Sequence, residues 1–151
     1  MVLADPHGTV VVELRDDPGL AAVLSALGAD SSHITGGEAR RPTPNIVVRS
    51  LGSNPWPIAA SRLTPLREEQ YAVHCTATKS PSGDIEAKRL AAYAAAALHG
   101  RGWRTRVLGS GEHVSIALSM EASTGPVHIE PDSSDPTVTV LVTLKAVAQA
   151  T

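Results

Sequence analysis

Apolar and polar residues alternate with a period of two along several stretches of the chain. The longest alternation covers residues 69–78, with Tyr71, Val73, Cys75 and Ala77 on one side and Ala72, His74, Thr76 and Thr78 on the other. Side chains of a strand point to opposite faces in turn, so this stretch predicts a strand with one buried and one wetter face. The same pattern predicts strands over 114–121 and 138–145, and shorter runs predict strands at 46–48 and 103–108.

Two helices are predicted where apolar residues recur every three or four positions. The first begins after Asp17, a favourable N-cap, with Pro18 at the first helical position, and it ends at Gly28. The second begins near Ser82 or Asp84. Its apolar stripe comprises Ala87, Leu90, Ala91, Ala94, Ala97 and Leu98. Because alanine adds little bulk, this helix can lie close to a sheet or to another subunit.

The remaining segments are less regular. Residues 10–14, Val-Val-Val-Glu-Leu, fit a strand or a helix, and their β-branched run favours a strand. Residues 29–44, 52–65 and 123–136 are rich in Gly, Pro, Ser or Asp and are predicted to be loops. The elements together predict an α+β fold, a mostly antiparallel β-sheet with two main helices packed on one face, formed by one domain over residues 1–151.

The composition narrows the class of protein. The 151 residues carry a net charge of −2, which does not match the basic footprint of a nucleic-acid binder. With two Trp, two Tyr and no Phe, the core must consist of Val, Leu, Ile and Ala. A single cysteine excludes an internal disulfide. The N-terminal residues do not resemble a signal peptide, and no run of residues is long and apolar enough for a membrane span.

No constellation of residues predicts catalysis or metal binding. None of the six histidines forms an HExxH pair or another ligand set on one helix face. His74 and Cys75 are neighbours on a predicted strand, so their side chains point to opposite faces and are poorly placed to act as a dyad. Cys75 is therefore predicted to be a buried structural thiol. The Gly-Gly and Gly-Ser-Gly segments lack the context of a phosphate-binding loop, so we expect no cofactor.

Three residues are candidates for a partner interface. Trp56 lies in an Asn-Pro-Trp-Pro segment, where it could either cover the core or anchor a partner, since Trp is common in interface hot spots. Arg62 and Arg67 lie in or beside the same loop. Arginines here could contact DNA phosphates, but the negative net charge favours solvated loops or salt bridges across an assembly interface.

Several segments carry a resemblance to a known family. They are the Asp-Pro-Gly-Leu-Ala-Ala-Val-Leu segment at 17–24, Asn-Ile-Val-Val-Arg at 45–49, the strand at 71–78, the Ala-rich helix at 85–98 and the closing strand at 138–144. In this order the chain resembles the tail terminator (tail completion) proteins of long-tailed, siphovirus-type phages. The strand followed by the Ala-rich helix is the sharpest part of the resemblance. It implies that the segment around residues 9–15 is helical.

The resemblance also implies a role without catalysis. Such proteins form a homo-hexameric ring that caps the tail tube, stops its polymerisation and offers a surface to head-completion or connector proteins. DNA only passes through the lumen, and no membrane is involved. The implied location is the tail–neck junction of a virion assembled in the host cytoplasm. A head-closure or tail-to-head joining protein is the nearest alternative, and a small α+β enzyme or ligand-binding domain is a more distant one.

Overall fold

Three helices and two sheets are formed by the residues that a computed structural model describes, which are 6–37, 41–55, 66–99, 105–107, 113–115, 119–129, 131 and 133–147. The helices are α1 (Pro6–Arg15), α2 (Pro18–Ala26) and α3 (Gly83–Leu98). The strands are β1 (Ile34–Thr35), β2 (Asn45–Pro55), β3 (Leu66–Thr76), β4 (Thr105–Val107), β5 (His113–Ser115), β6 (Ser119–Ile129) and β7 (Pro136–Val147). A short 3₁₀ helix, Ser31–His33, precedes β1.

The larger sheet has five strands in the order β1-β2-β3-β7-β6. All neighbours are antiparallel except β1, which pairs in parallel with the start of β2. The register shifts between Ser50 and Gly52 in β2 and between Thr124 and Val127 in β6, so both strands contain a β-bulge. Strands β4 and β5 form a separate antiparallel pair. The predicted α+β class and mostly antiparallel sheet are confirmed.

The helices cover one face of the larger sheet. Helix α3 contacts β3, β6 and β7, while α1 contacts β1 and β2, and α2 packs on α3. The predicted stripe of α3 is buried from Ala87 to Leu98 and shares one hydrophobic cluster with Val73, Cys75 and Val140 of the sheet. Small side chains on α3 let the helix lie close to the strands, as the alanine pattern predicts.

Helix α2 begins and ends as predicted. The Asp17 carboxylate accepts a hydrogen bond from the Leu20 N–H at 2.9 Å, and Pro18 is the first helical residue. Gly28 has a φ of 80°, a left-handed conformation that suits a residue just beyond a helix end. At α3, Ser82 is the N-cap but its side chain does not cap the backbone; its hydroxyl instead donates to Glu86 Oε1 at 3.0 Å.

The preference for a strand at residues 10–14 is wrong, because they belong to α1 as the family resemblance implies. Val10, Val11 and Leu14 are buried together with Thr9 and Glu13. Packing of this face outweighs the weak strand propensity of the Val run. Burying the face against the sheet and α3 fixes the segment as a helix.

Two predicted loops are partly strands. Strand β2 continues through residues 52–55, and β6 continues through 123–129 despite Gly125 and Pro126. Pro126 lies in an edge strand at a bulge, where a missing N–H does not interrupt the sheet. The loop predicted at 29–44 also contains β1, whose two residues are too few to show alternation.

Candidate assembly surface

Cys75 is buried on the helix-covered face of β3, as predicted. Burial raises the pKa of its thiol to about 12, so the nucleophilic thiolate is strongly disfavoured. His74 lies on the opposite face, where its Nδ1 is 2.9 Å from the Thr139 hydroxyl. The two side chains are therefore separated by the sheet and cannot form the Cys-His dyad that the enzyme alternative would need.

His7, His33 and His99 each form a hydrogen bond with a backbone group. His7 Nε2 donates to the Val48 carbonyl at 2.8 Å, and its ring stacks on Tyr71 with centroids 5.6 Å apart. His33 Nδ1 lies 2.9 Å from the Pro44 carbonyl. The Ala122 N–H donates to His99 Nδ1 at 3.2 Å. These contacts tie helices and loops to strands, which is a structural use of the imidazole rings.

Depressions of different size are lined by described residues. One, of about 340 Å³, is lined by Ala26, Leu27, Pro44, Thr78, Ser80 and Glu86. Another, of about 120 Å³, lies between strands and is lined by Leu51, Gln70, Tyr71, Leu141, Val142 and Thr143. No group of three His, Cys, Asp or Glu side chains converges as a metal site within the described ranges. Neither depression presents the converging charged groups of an enzyme pocket.

The sheet face opposite the helices is only partly shielded. Arg49, Gln70 and Leu141 are exposed there, Leu141 by 53%. Ala72 and Thr76, predicted on the wetter face, are instead buried. They lie on a central strand between side chains of β2 and β7, and the Thr76 hydroxyl is 2.9 Å from that of Thr137. Short side chains at such positions are covered by their cross-strand neighbours.

The edges of the sheet are the second notable surface. Strand β6 pairs only with β7 in the described part of the chain, and β1 covers only Ile46 and Val47 of β2. Leu51, at the bulge of β2, is 56% exposed, and Ile129, at the end of β6, is 54% exposed. Exposed apolar residues on unpaired strand edges are typical of surfaces that pair with another chain.

Of the three predicted interface residues, one lies within the described residues. Trp56 and Arg62 lie outside the described residues. Arg67 lies in β3, where its backbone pairs with Pro55 and Ala146. The sequence interpretation missed Leu51, Ile129 and Leu141 as surface residues. Leu141 occupies an outward position of the predicted strand 138–145, where the alternation otherwise places polar residues. An apolar residue at such a position is the sequence signal for an exposed apolar side chain.

None of the helices in the described ranges has the length and apolar character to cross a bilayer.

No protein-family model matches the chain. No curated protein matches it either. Among solved structures, the chain is similar to a chain in the virion of a native gene transfer agent particle, with a TM-score of 0.61 and 13% identity. The match covers 93% of this chain and 93% of the other, so the two share their fold across almost their whole length.

Proposed function

We propose that this protein is a structural component of a phage-like virion, and specifically the tail terminator that caps the tail tube as a ring. The observation that carries the proposal is the fold likeness to a virion chain over 93% of both chains. The order of the strand and Ala-rich helix, from which the sequence resembles tail terminators, supports the finer role independently of that likeness. The whole chain acts in this role as one tail-terminator-like domain.

The surfaces of the protein support assembly better than catalysis. Its cysteine is buried and the pKa of the thiol is raised. The side chains of His7, His33, His74 and His99 form hydrogen bonds with backbone groups or a hydroxyl. Within the described ranges, β6 and the part of β2 beyond β1 leave strand edges unpaired, and Leu141 is exposed. In the proposed ring, each copy contacts its two neighbours, the tail tube protein on one side and a head-completion or connector protein on the other. The role needs no enzymatic step and no cofactor.

The charge of the chain suits a lumen through which DNA moves. Proteins that grip DNA neutralise phosphates with clustered Lys and Arg. A net charge of −2 gives little attraction between the ring as a whole and the duplex, so DNA can slide past it. The proposed location is therefore the junction between tail and neck, after assembly in the cytoplasm of the host.

The test is deletion of the gene from the genome that encodes the particle, followed by electron microscopy of the particles produced. A tail terminator is needed to stop tube growth and to join the head, so we expect overlong tails and unattached heads. Complementation with the intact gene should restore tails of uniform length. Tails of normal length that fail to join heads would refute the terminator role and point to a neck protein. Normal infectious particles would refute a virion role.

A further inference from the structure

Among the described residues, β6 is unpaired on the side away from β7, and β2 is unpaired on the side away from β3 beyond Ile46 and Val47, which β1 covers. Strands β2 and β6 each contain 11 residues. Three successive antiparallel pairings separate them, from β2 to β3, β3 to β7 and β7 to β6. Strands β2 and β6 therefore run in opposite directions. If two copies are placed side by side, β6 of one copy lies antiparallel to β2 of the other, and the sheet continues without a change of pattern.

At the β6 edge, the outward backbone groups can be identified. The Ala122 N–H donates to the side chain of His99, the C-cap residue of α3, so it points away from β7. Alternate residues of a strand direct their backbone groups to the same side. Thr124, two residues along and exposed, therefore also offers its backbone groups outward.

The β2 edge has the same construction. The Val48 carbonyl accepts a hydrogen bond from His7, so it points away from β3. By alternation, the backbone of Ser50 also points outward, and Ser50 lies beyond the part of β2 that β1 covers. Each edge thus has one outward backbone group held by a histidine ring and a neighbouring residue with groups available for pairing. The exposed Leu51 and Ile129 lie on these same two strands.

We propose that the β6 edge of one copy pairs in antiparallel fashion with the β2 edge of the next copy. This inference rests on the proposed ring, for which it names the contacts between neighbouring subunits. The interface is heterologous, because it joins two different edges, and every copy offers one of each. Such an interface closes into a ring when the rotation per copy is right. On pairing, the Ala122 N–H exchanges the His99 ring for a backbone carbonyl of the neighbour.

Two proline variants test the pairing one edge at a time. Ala122→Pro removes an outward N–H that makes no ladder bond to β7, so the strand keeps its internal pairing. Ser50→Pro does the same on β2. Ala122→Ser and Ser50→Ala are the matched controls, since they change the side chain and keep the N–H. Native mass spectrometry of the full-length chain measures the assemblies, and circular dichroism checks that each variant is folded.

The pairing predicts a specific pattern of assembly. The intact chain and both control variants form rings, whereas each proline variant needs about tenfold or more protein to assemble to the same extent. Mixed in equal amounts, the two proline variants form heterodimers and no larger species, because each retains the edge that the other lacks. Proline variants that form rings as readily as their controls would overturn the pairing and leave the ring itself standing. An intact chain that stays monomeric, even with purified tail tubes, would refute the ring and the pairing together.

A measurement on the intact chain covers the case in which a proline variant does not fold. Hydrogen exchange is compared between dilute monomer and assembled ring. We expect the peptides that contain Ala122 and Ser50 to gain protection on assembly, while the central strands β3 and β7 change little. Gain of protection at other segments, with both edge strands unchanged, would overturn the proposed pairing.

Discussion

Replacing Gly83 with alanine tests how closely α3 approaches the end of the sheet. Gly83 is the first residue of α3 and is buried. A Cβ atom added there would lie 2.8 Å from the Thr78 carbonyl oxygen and 3.0 Å from Pro136 Cγ. The carbonyl belongs to the backbone and cannot rotate away. The nearby strand end is held as well, since the Ala77 N–H donates to the Pro136 carbonyl at 3.0 Å.

Two effects of opposite sign determine the result. Alanine is favoured over glycine in a helix by roughly 0.5–1 kcal/mol. Forcing a methyl group into a well-packed site costs about 1–3 kcal/mol. We expect the steric term to win, because the nearest atom is backbone, and the free energy of unfolding to fall by about 1–2 kcal/mol. For a chain of this size, such a loss lowers Tm by roughly 2–8 °C.

Urea unfolding followed by circular dichroism measures this change, and Gly19→Ala is the control. A Cβ at Gly19 meets the Tyr93 ring at 3.2 Å and the Asp17 carboxylate at 3.3 Å. The half-exposed Tyr93 ring can shift, whereas the Asp17 carboxylate is held by its cap to Leu20. A small loss at the cap and the gain from alanine in the helix should offset each other to within about 0.5 kcal/mol. A Gly83→Ala variant as stable as the intact chain, or more stable, would show that the helix start has room for a methyl group.

Three further predictions concern single side chains. Thr35→Val should leave stability unchanged or raise it by up to about 1 kcal/mol in urea unfolding, because the Thr35 hydroxyl is buried without a hydrogen-bond partner in the described structure; a clear loss would mean that the hydroxyl is bonded. Asp17→Ala should lower the free energy of unfolding by about 1 kcal/mol, and Asp17→Ser should restore most of it, because the carboxylate caps the Leu20 N–H; equal stabilities would refute the cap. Burial raises the pKa of the Cys75 thiol from 9.0 to about 12, so the folded chain keeps the thiol protonated at pH values where the unfolded chain loses the proton. The free energy of unfolding is therefore unaffected by this group below pH 9.0 and declines as pH rises toward about 12. Between these values the intact chain should therefore lose up to about 1.4 kcal/mol per pH unit more than Cys75→Val, and parallel pH profiles would contradict the burial of the thiol.

Features set by local interactions could be predicted from the sequence. The limits of α2 follow from the Asp17 cap and the left-handed Gly28, which act within one turn of the helix. The buried stripe of α3 follows from its spacing, and β3 and β7 follow from their alternation. Separation of Cys75 from His74 follows from strand geometry alone. These features depend on residues near in sequence.

Features set by distant contacts could not be predicted in the same way. Residues 10–14 became helical through packing against the rest of the core, which the Val run does not reveal. Residues 123–129 form a strand because β7 lies beside them and the edge position tolerates Pro126. The open edges themselves depend on strand order, and the pairing of β3 with β7 joins residues that are far apart in the chain. The sequence alone therefore does not reveal the unpaired strand edges. The interface residues predicted from it, Trp56, Arg62 and Arg67, remain predictions.

The bulge in β2 has a consequence for how the chain can change in evolution. Ser50 faces Tyr71 and Gly52 faces Gln70, so Leu51 has no cross-strand partner. Removing Leu51 would restore continuous pairing and leave every neighbour opposite its present partner. Removing a residue at Val48 would turn the preceding or following residues to the wrong face of the sheet. Insertions and deletions among homologues should therefore accumulate at Leu51 rather than within residues 45–50, and homologues of different length can keep the same core.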